Sequence, residues 1–256
     1  MGPAPSRFLL EIATSDFNTT RQAVAGGADR IELCANLAEG GTTRSMGHIR
    51  QCREAFSLPI FPIIRPRGGD FLFNDEEFQI MRHDIRLCRE LGCDGVVIGL
   101  LNRDGSIDEK RTAKLIEEAY PLSVTFHRAF DRCRDPFEAM EQLIRIGCER
   151  ILTSGQQPQA PDGITLLNQL QQATAGRITI LVGSGVRPDT IEALAAGTGC
   201  TEFHASLRRK EPSQMEFIHP AFAGDPESYT NNDINPEEVK ATKEILRDFF
   251  SLQQNS

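Results

Sequence analysis

Apolar residues fall along the chain in short runs, "FLLEIA", "RIELCA", "PIFPIIR", "GVVIGL", "SVTFHRA", "RILTSG", "ITILVGSG" and "EFHASL", eight in all. Runs of this length, rich in Leu, Ile, Val and Phe and bounded by turn residues, predict buried strands. A segment with helical patterning follows each one. The helix starts carry capping signals: Asn74 with Glu77, Ser106 with Glu109, Asp135-Pro136 with Glu138, and Asn235-Pro236 with Glu238. The returns to strand repeat as well. "GGADRIEL", "LGCDGVVI", "IGCERILT" and "GTGCTEFH" each place glycine, a small residue and a polar residue ahead of a strand, and glycine suits the left-handed position that ends a helix.

Eight repeats of one strand-helix unit in 256 residues predict a single-domain (β/α)8 TIM barrel over residues 1–256. An open doubly wound sheet is the alternative, but no G-x-G-x-x-G opens a helix here. The connection from 208 to 234, before the last helix, is long enough to be a lid or binding loop.

Charge and composition narrow the function. A net charge of -8 gives no basic footprint for nucleic acid. "MGPAPSRFLLEIA" lacks the apolar core of a leader, and no run is long enough to span a membrane. The expectation is a cytoplasmic protein that binds neither nucleic acid nor membrane; a homo-oligomer stays open. Seven cysteines without C-x-x-C or zinc-finger spacing predict reduced thiols.

In this fold the chemistry sits where the strands end, and side chains of one parity face inward. The inward polar set is Glu11, Glu32, Cys34, Arg65, Thr125, His127, Thr153, Glu202, His204 and Ser206. Barrel interiors are normally filled by Val, Ile and Leu, so ionisable groups from five strands converging there call for partners or a ligand. Glu11, Glu32, Arg65, His127 and His204 are the candidate catalytic residues. The carboxylates and imidazoles would move protons, while Arg65 would bind an anion or neutralise the carboxylates. Arg128 has the opposite parity and is expected to pair in the outer layer. "VGSGVRPD" after the seventh strand offers an anion turn at Gly183, Ser184 and Gly185; Arg67 and Ser206 complete the candidate anion-binding set. Among the cysteines, Cys34 and Cys133 belong to the mouth, and the other five read as buried small apolar residues.

"GGADRIELCANLAEGGTTRSMG", "PIFPIIRPRGGDF", "DGVVIGLLNRDGSID", "VTFHRAFD", "RILTSG" and "TEFHAS" closely resemble, in order, signature segments of the CutC family. The resemblance runs from about Leu10 to Met215. It implies a cytoplasmic (β/α)8 barrel associated with copper tolerance and Cu(I) binding, without an established reaction, and it carries copper to Cys34. Family members often have cysteine after the "FH" of the eighth strand, where this chain has Ala205. Cu(I) prefers thiolate and thioether ligands, whereas the mouth is mostly carboxylate, guanidinium and imidazole. Three readings therefore stand: a Cu(I) protein using Cys34, with Cys133, His127 or His204 assisting; a lyase, isomerase or hydrolase acting on a small anionic, phosphorylated or carboxylated metabolite; or a barrel scaffold that serves as a binding module, against which the polar mouth argues.

Overall fold

The eight apolar runs form parallel strands β1 (Leu9–Thr14), β2 (Arg30–Leu33), β3 (Ile60–Pro62), β4 (Gly95–Ile98), β5 (Ser123–Phe126), β6 (Arg150–Thr153), β7 (Thr179–Gly183) and β8 (Glu202–Ala205) in a computed structural model that describes residues 8–224 and 229–253. Between them run α1 (Phe17–Ala25), α2 (Met46–Ala55), α3 (Asp75–Glu90), α4 (Glu109–Ala119), α5 (Pro136–Arg145), α6 (Ile164–Thr174) and α7 (Ile191–Thr198), and α8 (Pro236–Leu252) follows. The hydrogen-bonded order is β3-β2-β1-β8-β7-β6-β5-β4. A parallel bridge from Ile63 to Val97 closes the ring, with the Ile64 N–H donating to the Val97 carbonyl at 2.7 Å. The fold is the single-domain (β/α)8 barrel that the repeats predict.

Most of the local signals place their elements. Asn74 caps α3 in a box with Glu77, Asp135 accepts from the Phe137 and Glu138 N–H groups, and Asn235 accepts from Glu237 N–H. Gly27, Gly92, Gly147 and Gly199, one in each repeated return, take left-handed φ values of 88°, 71°, 80° and 69°. Ser106 is a correction. It lies in a turn, bonded to Asp104 beside the Leu101–Ile107 bridge, and Asp108 caps α4 by accepting from Arg111 N–H.

Strand parity separates two interiors. Leu10, Ile12, Ile31, Leu33, Val96 and Ile98 point outward and are buried against the helices; each such side chain contributes about 1.5–3 kcal/mol on burial. Inside the barrel the buried apolar cluster is small, Cys34, Phe61, Ile63 and Val97. Charged groups occupy much of the remaining space.

The 208–234 connection is more than a loop. It contains an antiparallel hairpin, β9 (Arg208–Pro212) with β10 (Thr230–Ile234), held in part by Arg209 on Asp233 at 2.8 Å. Asn232 reaches Ser15 at 3.2 Å, which seats the hairpin beside the β1–α1 connection. Residues 225–228 of this connection, residues 1–7, on which the leader reading partly rests, and residues 254–256 lie outside the described residues. Among the described residues no helix is long and apolar enough to cross a membrane.

Candidate functional site

The inward face of β1, β2 and β8 places Glu11, Arg30 and His204 on one level, since Glu11 is in register with both. Glu11 pairs with Arg30 Nε through one oxygen and with His204 Nδ1, at 2.7 Å, through the other. Below them Arg30 Nη2 and Arg150 Nε both donate to Glu202, at 2.9 and 2.7 Å. The Phe61 ring lies under the two guanidinium groups, its centroid 5.0 and 5.8 Å from them. A bare β4 position, Gly95, makes room for that ring, because a Cβ there would run into it. This network is the polar floor of the barrel.

Burial alone would raise the Glu11 carboxyl, but the Arg30 charge and the His204 hydrogen bond outweigh it and hold the pKa at about 2. Glu11 is therefore a fixed carboxylate, and it does not line the cavity at the mouth. The sequence reading gave the neutralising role to Arg65. Arg30, at the very start of its strand, fills it instead.

Glu32 sits two residues further along β2 and does line the cavity. Burial pushes its carboxyl up, the Glu11 charge adds to this, and His204 partly offsets it. The Cys34 thiol donates to Glu32 Oε2 at 3.1 Å, and His204 Nε2 stands 3.8 Å from the same oxygen. Burial, then the Glu32 charge and hydrogen bond, push the Cys34 thiol well up. For His204, burial works downward, but Glu32 and Glu11 prevail and raise it. Thiol, carboxyl and imidazole thus stand together on one wall, the thiol hydrogen-bonded to the carboxyl and the imidazole 3.8 Å beyond it.

His127 directly follows β5 on the opposite side and is only 4 % exposed. The Ala129 N–H donates to its Nδ1 at 3.1 Å. Burial, aided by the nearby Arg65 charge, lowers its pKa to about 3, so the ring is neutral. With Nδ1 accepting, the ring proton is on Nε2, which has no partner. His127 is consequently a fixed neutral donor, and the expectation that it moves protons is corrected to that extent. Gly99 permits this seat, as a Cβ there would overlap the imidazole.

The cavity between these walls has a volume of about 370 Å³ and also takes in Ser184, Gly185, Arg187, Ser206 and Arg208. Ser184 and Gly185 adopt φ of 75° and 78°, forming the tight turn predicted after β7. Gly183 is not part of it; it is the last residue of β7, and its bareness leaves space beside Leu152 and His204. Ser206 lies past β8 on the same wall.

Three further candidates are engaged elsewhere. Arg65 donates to the carbonyls of Glu39, Gly41 and Gly69 at 2.7–2.8 Å and lies over Phe71, so it pins the β2 and β3 loops. Arg67 is committed to Glu77 and Asp70. Cys133 packs in the outer layer, where Gln156 donates to it, and burial first, then neighbouring Asp131 and Asp135, push its thiol up to about 12. Cys34 and Cys133 thus fall in different interiors. Arg128 pairs with Asp131 at 2.6 Å and donates to Ser154, as its parity suggests, yet it also borders the cavity.

All seven cysteines are free and buried. Among the described residues no group of three or more His, Cys, Asp or Glu side chains is arranged to hold a metal ion.

Comparison with known proteins is consistent in kind. A model described as the CutC family matches residues 8–209. A family protein CutC of Chromobacterium violaceum is 45% identical over 241 residues, 93% of this chain and 98% of that protein. The copper homeostasis protein cutC homolog of Homo sapiens is 43% identical over 220 residues, 86% and 81% of the two chains. The crystal structure of CutC from Streptococcus agalactiae superposes with a TM-score of 0.75 at 32% identity, covering 78% of this chain and 98% of that one.

Proposed function

The chain belongs to the CutC family, and on that premise we propose that it acts in copper homeostasis in the cytoplasm, taking Cu(I) as cargo at Cys34. The observation that carries the assignment is the Cys34–Glu32–His204 trio. A soft metal binds the thiolate, so its arrival must displace the thiol proton. Glu32 Oε2, at 3.1 Å, already accepts that hydrogen bond and is placed to take the proton. His204, on the other side of Glu32, is the imidazole of the trio and supplies a nitrogen donor once it has lost its proton. The trio is not arranged as a ready-made metal centre among the described residues, and it offers one sulfur only, because Ala205 stands where β8 could have provided a second thiol, so Cu(I) would be held there at low coordination. The human relative's name agrees with this role. Seven free thiols suit a reducing compartment.

Cys34 is 1 % exposed, and a Cβ added at Gly41 would stand 3.3 Å from its sulfur, so loading at Cys34 would require the β2–α2 loop to lift. Anaerobic competition titration with a Cu(I) chelator tests the assignment. The full-length reduced protein is expected to bind one equivalent with release of a proton, and Cys34→Ser to weaken binding by at least about 100-fold, while Cys133→Ser leaves it unchanged. Equal affinity in Cys34→Ser would exclude Cys34 as the ligand.

A further inference from the structure

We propose that the barrel-mouth cavity binds a small phosphorylated metabolite, with its phosphate between the loops after β7 and β8 and a carbonyl or hydroxyl oxygen on His127 Nε2.

Four observations converge on this site. His127 is a buried side chain whose Nε2 has no protein partner, although the ring lines a cavity large enough for a ligand. A buried N–H without an acceptor is costly; Nε2 lies sealed behind the cavity wall, so an oxygen that enters the cavity and displaces that wall would satisfy it. The hydrogen bond from Ala129 N–H fixes the tautomer, so the group offered is a donor and selects an acceptor oxygen.

The second observation is the loop pair. Ser184 and Gly185 after β7, and Ser206 and Leu207 after β8, line the same cavity, and these are the loops at which barrels of this architecture hold phosphate. The Ser184 hydroxyl is already donated to the Pro158 carbonyl at 2.8 Å, and the turn is thereby held. The N–H groups of Gly185 and Val186 have no protein acceptor among the described residues.

Third, Arg187 and Arg208 stand exposed at the rim and have no carboxylate partner among the described residues. Most other arginines at the mouth are committed, Arg128 to Asp131 and Arg67 to Glu77 and Asp70. Two uncommitted guanidinium groups beside one cavity, in a chain of net charge -8, provide local attraction for an anion. Glu238 also borders the cavity and limits that attraction on the α8 side.

Fourth, the opposite wall carries Glu32 and His204. A hydroxyl or carbonyl held by His127 would therefore face a carboxyl and an imidazole across the cavity. The two sites share Glu32 and His204, but the phosphate loops, Arg187, Arg208 and His127 take no part in holding copper, so phosphate binding by the copper-free protein and Cu(I) binding at Cys34 can each fail alone.

The test uses the full-length, copper-free protein, with inorganic phosphate and glycerol 3-phosphate as probes at constant ionic strength. Thermal unfolding and calorimetric titration are the readouts. Phosphate is expected to raise the melting temperature in the millimolar range, and the double variant Arg187→Gln/Arg208→Gln to weaken it about tenfold or more. Both arginines are at the surface, so that variant keeps the fold. Glycerol 3-phosphate is expected to bind several-fold tighter than phosphate, with the gain lost in His127→Phe and retained in His127→Gln, which still offers an N–H. No stabilisation by either probe, or equal stabilisation in the arginine double variant, overturns the site. Equal affinity for the two probes in the native protein overturns the role of His127.

Discussion

Replacing Arg30 with alanine is expected to cost about 3–5 kcal/mol, the penalty for leaving buried charges without their partner. Arg30 is 3 % exposed and Glu11 1 %. Its guanidinium is the common partner of Glu11 and Glu202. After the change Glu11 keeps only His204, and Glu202 keeps only Arg150. A loss of that size is a large share of the roughly 5–15 kcal/mol that stabilises an ordinary domain. Urea denaturation followed by circular dichroism measures it. Arg145→Ala, which breaks an exposed pair with Glu109, is the control and is expected to change stability little. If Arg30→Ala were no more destabilising than Arg145→Ala, the floor network would be incidental to the fold.

The second large effect is an acid limb in the stability curve that belongs to His127. Its folded pKa is lowered from 6.5 to about 3 by burial and then by Arg65. The unfolded chain therefore takes up the proton first as pH falls. Stability from this group is complete above pH 6.5 and declines down to about 3, by about 1.4 kcal/mol per pH unit, or roughly 5 kcal/mol in all. Glu11, lowered from 4.5 to about 2, adds a further loss below 4.5. Glu32 acts the other way, since its raised carboxyl is relieved as pH falls towards 4.5. His204, also raised, contributes fully below 6.5 and loses its contribution only as pH rises through its folded value. His127→Gln isolates the first component. Between pH 6 and 4 the variant should lose roughly 3 kcal/mol less than the native protein. Parallel curves would mean that His127 is not held neutral.

Much of the architecture was legible because the barrel repeats itself. Eight apolar runs, the glycine returns and the caps at Asn74, Asp135 and Asn235 all follow from local chemistry. The hairpin of β9 and β10 was not, because "RRKEP" and "TNNDI" have no apolar alternation, and cross-strand contacts such as Arg209 with Asp233 organise it.

The site was legible by parity and incomplete for a physical reason. Counting alternate positions from Cys34 back to Glu32 leads on to Arg30, which shares the inward face. A charged residue at the start of a strand reads as a solvated flank, so Arg30 and Arg150 carry no mark of burial in the sequence. In a closed ring, even a strand's first residue can be buried, and these two supply the positive charge that Glu11 and Glu202 require. Arg65 misled in the opposite sense. Its partners are the carbonyls of Glu39, Gly41 and Gly69, and backbone acceptors leave no mark on a sequence. The tautomer of His127 likewise depends on a backbone N–H two residues away.

The two histidines of the barrel mouth are held in opposite protonation states, His204 charged beside Glu11 and Glu32 and His127 neutral across the cavity. Ring-nitrogen chemical shifts in the ¹⁵N-labelled protein, at about pH 5.5 where a free histidine is mostly charged, report both states at once. The account predicts His204 protonated on both nitrogens and His127 neutral with its proton on Nε2. A doubly protonated His127, or one with its proton on Nδ1, would contradict it.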